Sequence, residues 1–223
     1  RMNGFMKRLL GAVTIAAAAI GFGALPAHAQ GDQQVLVNQS QTTLSNFMRD
    51  PEMKWLQQNF SRAKAVMISP EIVKAGFIFG GSGGRALVVA KAGNRWVGPS
   101  FYTMATASVG FQAGVAVSEM VTLVMTDKGL NSLLSANFKM GGDASVAAGP
   151  VGAGAKSDIV ADLITFTRAK GVYGGINLDG TLVNLSDEWN KAYFGKPVLP
   201  PDILIKANVS NKGADKLLAE VAR

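Results

Sequence analysis

The apolar residues at the start of the chain recur at helical intervals. Within residues 35–48, Leu36, Leu44 and Phe47 fall on one side of a helix drawn at about 100° per residue, with polar residues between them. This spacing predicts an amphipathic helix that buries one face against the rest of the protein.

A second helix is predicted to start at Asp50 and to run to about Lys64. Asp50 is a capping acid, Pro51 suits the first helical position, and Glu52 places an acid in the first turn. Trp55 lies on the polar side of this predicted helix. The apolar stripe of the helix consists of Met53, Leu56, Phe60 and Ala63.

Beyond residue 65 the pattern changes to short apolar runs separated by turn signals, which is typical of β-strands. Ala92-Gly93-Asn94 and Asp179-Gly180 are predicted hairpin turns. The predicted strands cover residues 76–82, 85–91, 95–98, 101–109, 111–126, 138–151, 162–169 and 171–184.

Helices are predicted to interrupt and to follow these strands. Ser69-Pro70-Glu71 has the composition of a helix start and predicts a helix of about one turn. Asp127 is the expected cap of a longer helix. Helices of more than one turn are predicted within residues 127–138, 186–194 and 211–223.

Glycine and alanine crowd the predicted strands, as in ASVGFQAGVAVSEM and GGDASVAAGPVGAGAK. Glycine weakens a strand, so repeated glycines mark bulges, corners and close backbone contacts. We therefore predict an α+β fold, with a curved, Gly-rich antiparallel β-sheet or partial barrel and helices packed at its ends.

The run GFIFGGSGGRALVVA contains a match to the dinucleotide-binding pattern G-x-G-x-x-A at residues 81–86. Such a loop must open a helix, and an acid that holds the ribose should follow about 20 residues later. Here a strand-like segment follows, and no acid occurs between Glu71 and Glu119. A Walker A loop would need a lysine after Gly84, where Arg85 stands. We therefore expect no cofactor, and we assign these glycines to backbone shape.

The first thirty residues have the layout of a secretory signal peptide. Lys7 and Arg8 precede an apolar run over residues 9–25, and Ala27-His28-Ala29 supplies small residues at the cleavage positions. We expect cleavage before Gln30 and a periplasmic or secreted mature chain. A retained membrane anchor is the alternative, and the polar segment after the cleavage site argues against it.

The predicted organisation has four parts. They are a signal peptide over residues 1–29, an N-terminal helical segment over 30–49, the main domain over 50–205 and a C-terminal helix over 206–223. The mature chain of 194 residues is long enough for one domain with a real hydrophobic core.

The predicted mature chain lacks cysteine and histidine, which excludes several classes of catalytic and metal site. The sequence has no cysteine, and its single histidine, His28, leaves with the signal peptide. Catalytic triads, Cys-His pairs and ordinary zinc or copper sites all need these side chains. We therefore expect a protein that is not an enzyme and holds no metal. A carboxylate-based hydrolase that uses Asp143, Asp158 and Asp162 stays open as an alternative.

A block without carboxylates gives the main functional signal. Residues 72–118 contain four cations and several aromatic residues but no Asp or Glu, and more cations lie just upstream. Unpaired cations beside aromatic rings suit an anionic lipid surface. Signal-peptide cleavage removes three cations, which lowers the net charge from +7 to +4, and this modest charge argues against nucleic acid as a partner. The candidate lipid-binding residues are Lys54, Trp55, Arg62, Lys64, Lys74 and Arg85.

Four further stretches carry a resemblance to a known family. They are SRAKAVMISPEIVKAGFIFGGSGGRALVV, WVGPSFYTMATASVGFQAGVAVSEMVTLVM, KMGGDASVAAGPVGAGA and YGGINLDGTLVNLSDEWNKAYFG, the last followed by PDIL. In this order they resemble the successive blocks of the SYLF domain, over residues 50–204. The resemblance implies a lipid-binding module, because eukaryotic relatives bind phosphoinositides and some bundle actin filaments.

The resemblance also implies where lipid contacts this chain. Relatives use a basic amphipathic segment at the start of the domain, which corresponds to residues 51–64 here. We expect binding to anionic phospholipid headgroups at a membrane surface. We do not expect actin as a partner, since a secreted protein does not ordinarily meet it. A structural role, or the binding of a protein of the cell envelope, is the alternative function.

Overall fold

The structure is a computed structural model that describes residues 31–76, 79–109, 114–152, 158–169, 172–173 and 178–223. The predicted signal peptide lies outside these residues. The helices are α1 (Asp32–Arg49), α2 (Lys54–Asn59), α3 (Asp127–Leu133), α4 (Asp187–Phe194), α5 (Pro200–Leu204) and α6 (Asp215–Val221). Short 3-10 turns cover Pro51–Met53, Phe60–Arg62 and Lys212–Ala214.

The described strands form a single sheet. They are β1 (Ala65–Gly76), β2 (Phe79–Ala92), β3 (Arg95–Val109), β4 (Gly114–Val124), β5 (Asn137–Lys139), β6 (Val146–Ala148), β7 (Leu163–Ala169), β8 (Val172–Tyr173) and β9 (Leu182–Leu185). Their order is β5-β9-β3-β2-β1-β4-β7-β6, and β8 also pairs with β7.

The predicted fold class is confirmed. Helices pack on a strongly curled, half-barrel sheet, which is an α+β arrangement. The strand pairs are antiparallel except for β6 and β7, which run parallel. The long strands β1 to β4 form its centre, and the hairpin turn predicted at residues 92–94 joins β2 to β3 with Gly93 at positive φ. The turn at residues 179–180 also has a glycine at positive φ, but the hairpin predicted there is wrong, because β8 pairs with β7 while β9 pairs with β3 and β5.

The helix predicted at Ser69-Pro70-Glu71 is wrong, because these residues continue β1. The pairing of β1 shifts register between Ile68 and Glu71, so Pro70 sits at a β-bulge where its missing N–H is tolerated. The Ser69 hydroxyl donates to the Arg85 carbonyl at 2.7 Å. This bond helps to hold β2 against β1 where the regular ladder is interrupted.

The glycine run of β2 serves backbone shape, as predicted. Residues 81–86 lie inside β2, where all of them pair with β3 and residues 81–85 also pair with β1. A Cβ atom at Gly84 would overlap with the carbonyl oxygen of Glu71 at the bulge of β1. Only glycine lets the two backbones approach this closely.

The sheet buries a core on each face. On one face, α1, α2 and α6 pack against side chains of the central strands, among them Val66, Leu87 and Phe101. On the other face, residues from α3 and α5 pack against the alternate positions of the same strands, such as Met67 and Val88. Both ends of the described chain therefore lie on one side of the sheet.

The helix predicted over 50–64 is present but irregular. Asp50 accepts a hydrogen bond from the Glu52 N–H at 2.9 Å, as expected for a cap. A 3-10 turn then precedes α2, and a second one follows it. The whole predicted apolar stripe is buried. In α3 the cap is Thr126, whose hydroxyl accepts from the Gly129 N–H, and not the predicted Asp127.

Candidate functional site

Several cations gather where β1 begins and where β2 turns into β3. The Lys91 N–H donates to the Lys64 carbonyl at 2.9 Å, so these two lysines stand opposite each other at the end of the ladder. Arg95 follows across the hairpin turn, and Arg62 ends the 3-10 turn that leads into β1. We call this group of Arg62, Lys64, Lys91 and Arg95 the basic end.

The cations of the basic end differ in how far they are engaged. Lys64 pairs with Asp127 at 2.9 Å. The Lys91 ammonium donates to the Ser61 carbonyl and lies 5.2 Å from the centre of the Trp96 ring. Arg62 is exposed and uses one N–H for the Asn59 side chain, at 2.9 Å. Because an arginine has five N–H donors, Arg62 keeps most of its capacity for an anion.

Lys54 lies near the basic end, at the other end of α2 from Arg62. Eight residues of helix separate the two, which corresponds to about 12 Å. Lys54 is exposed and has no ion pair among the described residues. The structure therefore keeps three of the predicted lipid-binding cations, Lys54, Arg62 and Lys64, in one region.

Trp55 does not lie on a polar surface, and this prediction is wrong. Its side chain is only 8% exposed, and its ring packs against Phe166 of β7 with centroids 6.0 Å apart. In this position Trp55 belongs to the core, with one edge in the wall of a groove. It is therefore not the free interfacial anchor that the sequence suggested.

That groove, which we call the Trp55 groove, has a volume of about 260 Å³. It lies between the end of α2 and the segment before β7. The residues that line it are Trp55, Arg62, Met125, Thr126, Ile159, Val160 and Ala161. Arg62 is the only charged residue among them. A cation at the rim of a largely apolar groove is an arrangement suited to an amphiphile with an anionic head.

The other two predicted cations lie elsewhere. Lys74 is ten residues beyond Lys64 on β1, which places it about 30 Å away along the strand. Arg85 lies between them on β2, with Glu71 as its cross-strand neighbour. The structure therefore does not bring all six predicted residues together.

Arg85 lines a second groove, of about 410 Å³, between α1 and the sheet. Its guanidinium carbon lies 3.9 Å from the centre of the Trp189 ring. Two carboxylates, Asp32 and Glu71, line the same groove. These acids oppose an anionic headgroup, so lipid binding at Arg85 stays a prediction without electrostatic support from its surroundings.

The three aspartates considered for hydrolysis do not converge on a common cleft. Asp162 accepts hydrogen bonds from the Thr126 hydroxyl and from the backbone and side chain of Ser145. The bond from Thr126, followed by those from Ser145 and the charge of Lys128, holds the pKa of this carboxyl below its usual value. Asp143 accepts from the Lys139 N–H, which closes a turn, and Asp158 is exposed. Asp143 and Asp162 thus have structural roles.

Neither a membrane-spanning helix nor a cluster of metal-ligating side chains occurs among the residues that the structure describes. None of its helices combines the length and apolar composition needed to cross a bilayer. Within the same residues, no three acidic or histidine side chains are grouped closely enough to hold a metal ion.

Lys91 and Arg95 are two of the four cations within residues 72–118, but neither is among the lipid-binding residues predicted from the sequence. The hairpin turn at residues 92–94 carried the signal, since it brings both residues back beside the start of β1. Val160 was missed, and its role as a groove residue has no local signal, because the groove forms only when the segment before β7 meets α2.

A basic end beside an amphiphilic groove, on a curled sheet covered by helices, is the surface of a binding domain. Residues 105–223 match the family described as "Ysc84: Las17-binding protein actin regulator", which is more than half of the chain. The chain therefore belongs to the Ysc84, or SYLF, family, and the resemblance found in its sequence blocks is confirmed.

Named relatives come from animals and yeast. "SH3 domain-containing YSC84-like protein 1" is 30% identical over 131 residues in Xenopus laevis and 28% identical over 150 residues in Homo sapiens. "LAS seventeen-binding protein 3" of Saccharomyces cerevisiae is 31% identical over 142 residues. The matches cover 56%, 65% and 60% of this chain, and 39%, 44% and 31% of those proteins. The chain thus spans less than half the length of each relative.

Proposed function

We propose that this protein binds anionic phospholipid at a membrane surface, without catalysis, in the periplasm or after secretion. The observation that carries the proposal is a group of cations without a carboxylate partner among the described residues: Arg62, Lys91 and Arg95 of the basic end, and Lys54 near it. Each cation near an anionic surface contributes about 1 kcal/mol. Lys64 contributes less, because Asp127 already compensates its charge.

Co-sedimentation with vesicles tests the proposal. We expect the protein to pellet with phosphatidylglycerol vesicles and to stay in solution with phosphatidylcholine vesicles. Binding should weaken as salt is added, because the attraction between exposed charges is screened over about 8 Å at physiological ionic strength. Equal pelleting with both lipids, or none with either, contradicts the proposal.

A pair of variants locates the binding surface. Lys54→Gln/Arg62→Gln removes two exposed cations of this region, which should weaken binding by about 2 kcal/mol, or roughly thirtyfold. Lys74→Gln is the control, because Lys74 is also exposed but lies about 30 Å from Lys64 along β1. If each charge removed has the same effect in both variants, overall charge and not the basic end governs binding.

A protein partner is the second candidate function. Val73 of β1 and Val117 of β4 stand directly opposite each other and are 39% and 42% exposed. Val115, which is 68% exposed, extends this apolar face next to Ala75. Contiguous exposed apolar residues on a sheet face are typical of a protein contact. The family description names a protein-binding actin regulator, but the expected export of this chain favours a partner of the cell envelope over actin.

Pull-down from envelope extract tests this second candidate, with Val73→Ser/Val117→Ser as the variant. A partner that the unchanged protein captures and the variant does not would support it. Capture that is unaffected by the substitution contradicts it. Sizing of the purified protein shows whether the partner is a second copy of the chain.

A further inference from the structure

We infer that the Trp55 groove receives part of an acyl chain of the bound phospholipid, while Arg62 binds the phosphate and Val160 inserts among the lipid chains. This inference rests on the proposed function, since it names which part of the lipid the region beside the basic end would hold. It adds an apolar contact to a surface otherwise defined by charge.

The size of the groove favours a partial ligand. Its volume of about 260 Å³ lies below the range of roughly 300–1,000 Å³ in which pockets enclose a whole small molecule. A bound molecule must therefore extend out of the groove. A lipid satisfies this condition, because one segment of its chain can lie in the groove while its headgroup stays at the rim.

The chemistry of the lining matches such an amphiphile. Trp55, Met125 and Ile159 supply apolar walls, and none of the described residues that line the groove is acidic. Arg62 stands at the rim with most of its N–H donors uncommitted. An arginine fork suits a phosphate group geometrically as well as electrostatically. The groove thus offers an apolar surface to the acyl chain and a cation to the phosphate of the same lipid.

Val160 is the most exposed of the large apolar residues that the structure describes, with 98% of its surface accessible. Its neighbours are not exposed in the same way, because Ile159 packs against the core and Ala161 is only 9% exposed. The Met125 N–H donates to the Asp162 carbonyl at 2.8 Å, which ties the segment to the end of β4. Val160 therefore projects from an anchored segment beside Arg62.

The chain has no cysteine, so Val160→Cys carries a single environment-sensitive fluorophore. Val115→Cys is the matched control, because it replaces another exposed valine, on β4, near the Lys74 end of the sheet. The exported protein is labelled and mixed with phosphatidylglycerol vesicles, with and without brominated acyl chains. We expect a blue shift at position 160 that the brominated chains quench, and neither effect at position 115.

Val160→Asp should weaken vesicle binding by about tenfold more than Val115→Asp does, because burial of a valine side chain has an effect of this size. Because a carboxylate at position 160 also repels anionic lipid near the basic end, the uncharged pair Val160→Ser and Val115→Ser separates insertion from charge. An unshifted label at position 160 on protein that still pellets overturns the inference and leaves the proposed function standing. A signal at position 115 alone also overturns it. Failure to pellet with phosphatidylglycerol overturns both.

Discussion

Gly149 controls how Phe166 and Trp55 pack, and its replacement gives a sharp test of the structure. Its N–H donates to the Thr165 carbonyl at 2.8 Å, which fixes the backbone beside β7. A Cβ atom at position 149 would overlap with three atoms of the Phe166 ring. Phe166 is 1% exposed and packs against Trp55, so the ring has little room to move.

Two opposing effects of Gly149→Ala determine the change in the free energy of unfolding. Overpacking of a buried side chain costs about 1–3 kcal/mol. Loss of backbone freedom in the unfolded chain opposes this by about 0.4–1 kcal/mol. We expect a net loss of roughly 1–2 kcal/mol in the free energy of unfolding. For a domain of this size, that loss lowers Tm by about 2–8 °C.

Gly142→Ala is the matched control. A Cβ atom there would meet the Lys139 side chain at 3.5 Å, which is an ordinary contact, so this variant should be as stable as the unchanged protein or slightly more so. Urea and thermal unfolding, followed by circular dichroism, measure both variants. Equal stability of Gly149→Ala and Gly142→Ala would refute the packing described for Phe166. Adding Phe166→Leu to Gly149→Ala should recover part of the loss.

Three further predictions concern buried polar groups and close backbone contacts. Asp162→Asn should make the free energy of unfolding less dependent on pH in acid, because the lowered pKa of Asp162 stabilises the protein above pH ~4 and this contribution is lost as the pH falls through the folded-state pKa. Urea unfolding at pH 3–6 measures this dependence, and the same change of the free energy of unfolding with pH in both proteins would contradict the prediction. Asn190→Leu should lower the free energy of unfolding by about 2 kcal/mol, because it leaves the buried Phe101 N–H without its acceptor at 3.0 Å, whereas the exposed Asn137→Ala should change it by less than about 0.5 kcal/mol. Gly84→Ala should lower the free energy of unfolding by more than about 1 kcal/mol, because the added Cβ atom overlaps with the Glu71 carbonyl. If this variant has the same Tm as the unchanged protein, the two backbones do not approach so closely.

The local patterns of the sequence predicted the central elements well. Helical spacing placed α1, and the hairpin signal at residues 92–94 placed the turn between β2 and β3, because both depend on residues that are close in sequence. The helix expected at Ser69-Pro70-Glu71 failed for a different reason. A proline after a serine suits a helix start and also a β-bulge, and the strands on both sides of β1 decide between them.

Trp55 shows why the candidate site was predicted only in part. A helical wheel assigns it to the polar side, but it assumes one regular helix with one covered side. The segment is interrupted by 3-10 turns, and Phe166, more than one hundred residues later, covers the side that was expected to be free. Such a contact between distant parts of the chain has no signal in local periodicity.

Lys74 and Arg85 illustrate a second limit. They were grouped with Lys64 because the block over residues 72–118 lacks acids. Because an extended strand advances about 3.3 Å per residue, a block that runs through several strands spreads from one end of a sheet to the other. The absence of acids in the sequence therefore did not imply that the cations meet in space. The hairpin instead brought Lys91 and Arg95 to Lys64.

These distances decide how the protein can meet a membrane. With a screening length of about 8 Å at physiological ionic strength, Lys74 contributes almost nothing when the basic end faces the lipid. Lys54, Arg62, Lys91 and Arg95 then supply roughly 4 kcal/mol at about 1 kcal/mol each. This attraction is weaker than that of a single myristoyl chain, which by itself gives only marginal and reversible attachment. Charge alone therefore gives weak, salt-sensitive binding, and an attachment that persists at physiological salt needs an apolar contribution.

The Trp55 groove and Val160 lie where that apolar contribution would act. If vesicle binding persists at high salt while Val160→Asp leaves it unchanged, the apolar contact must come from another surface, and the exposed face around Val73 and Val117 is the next to test.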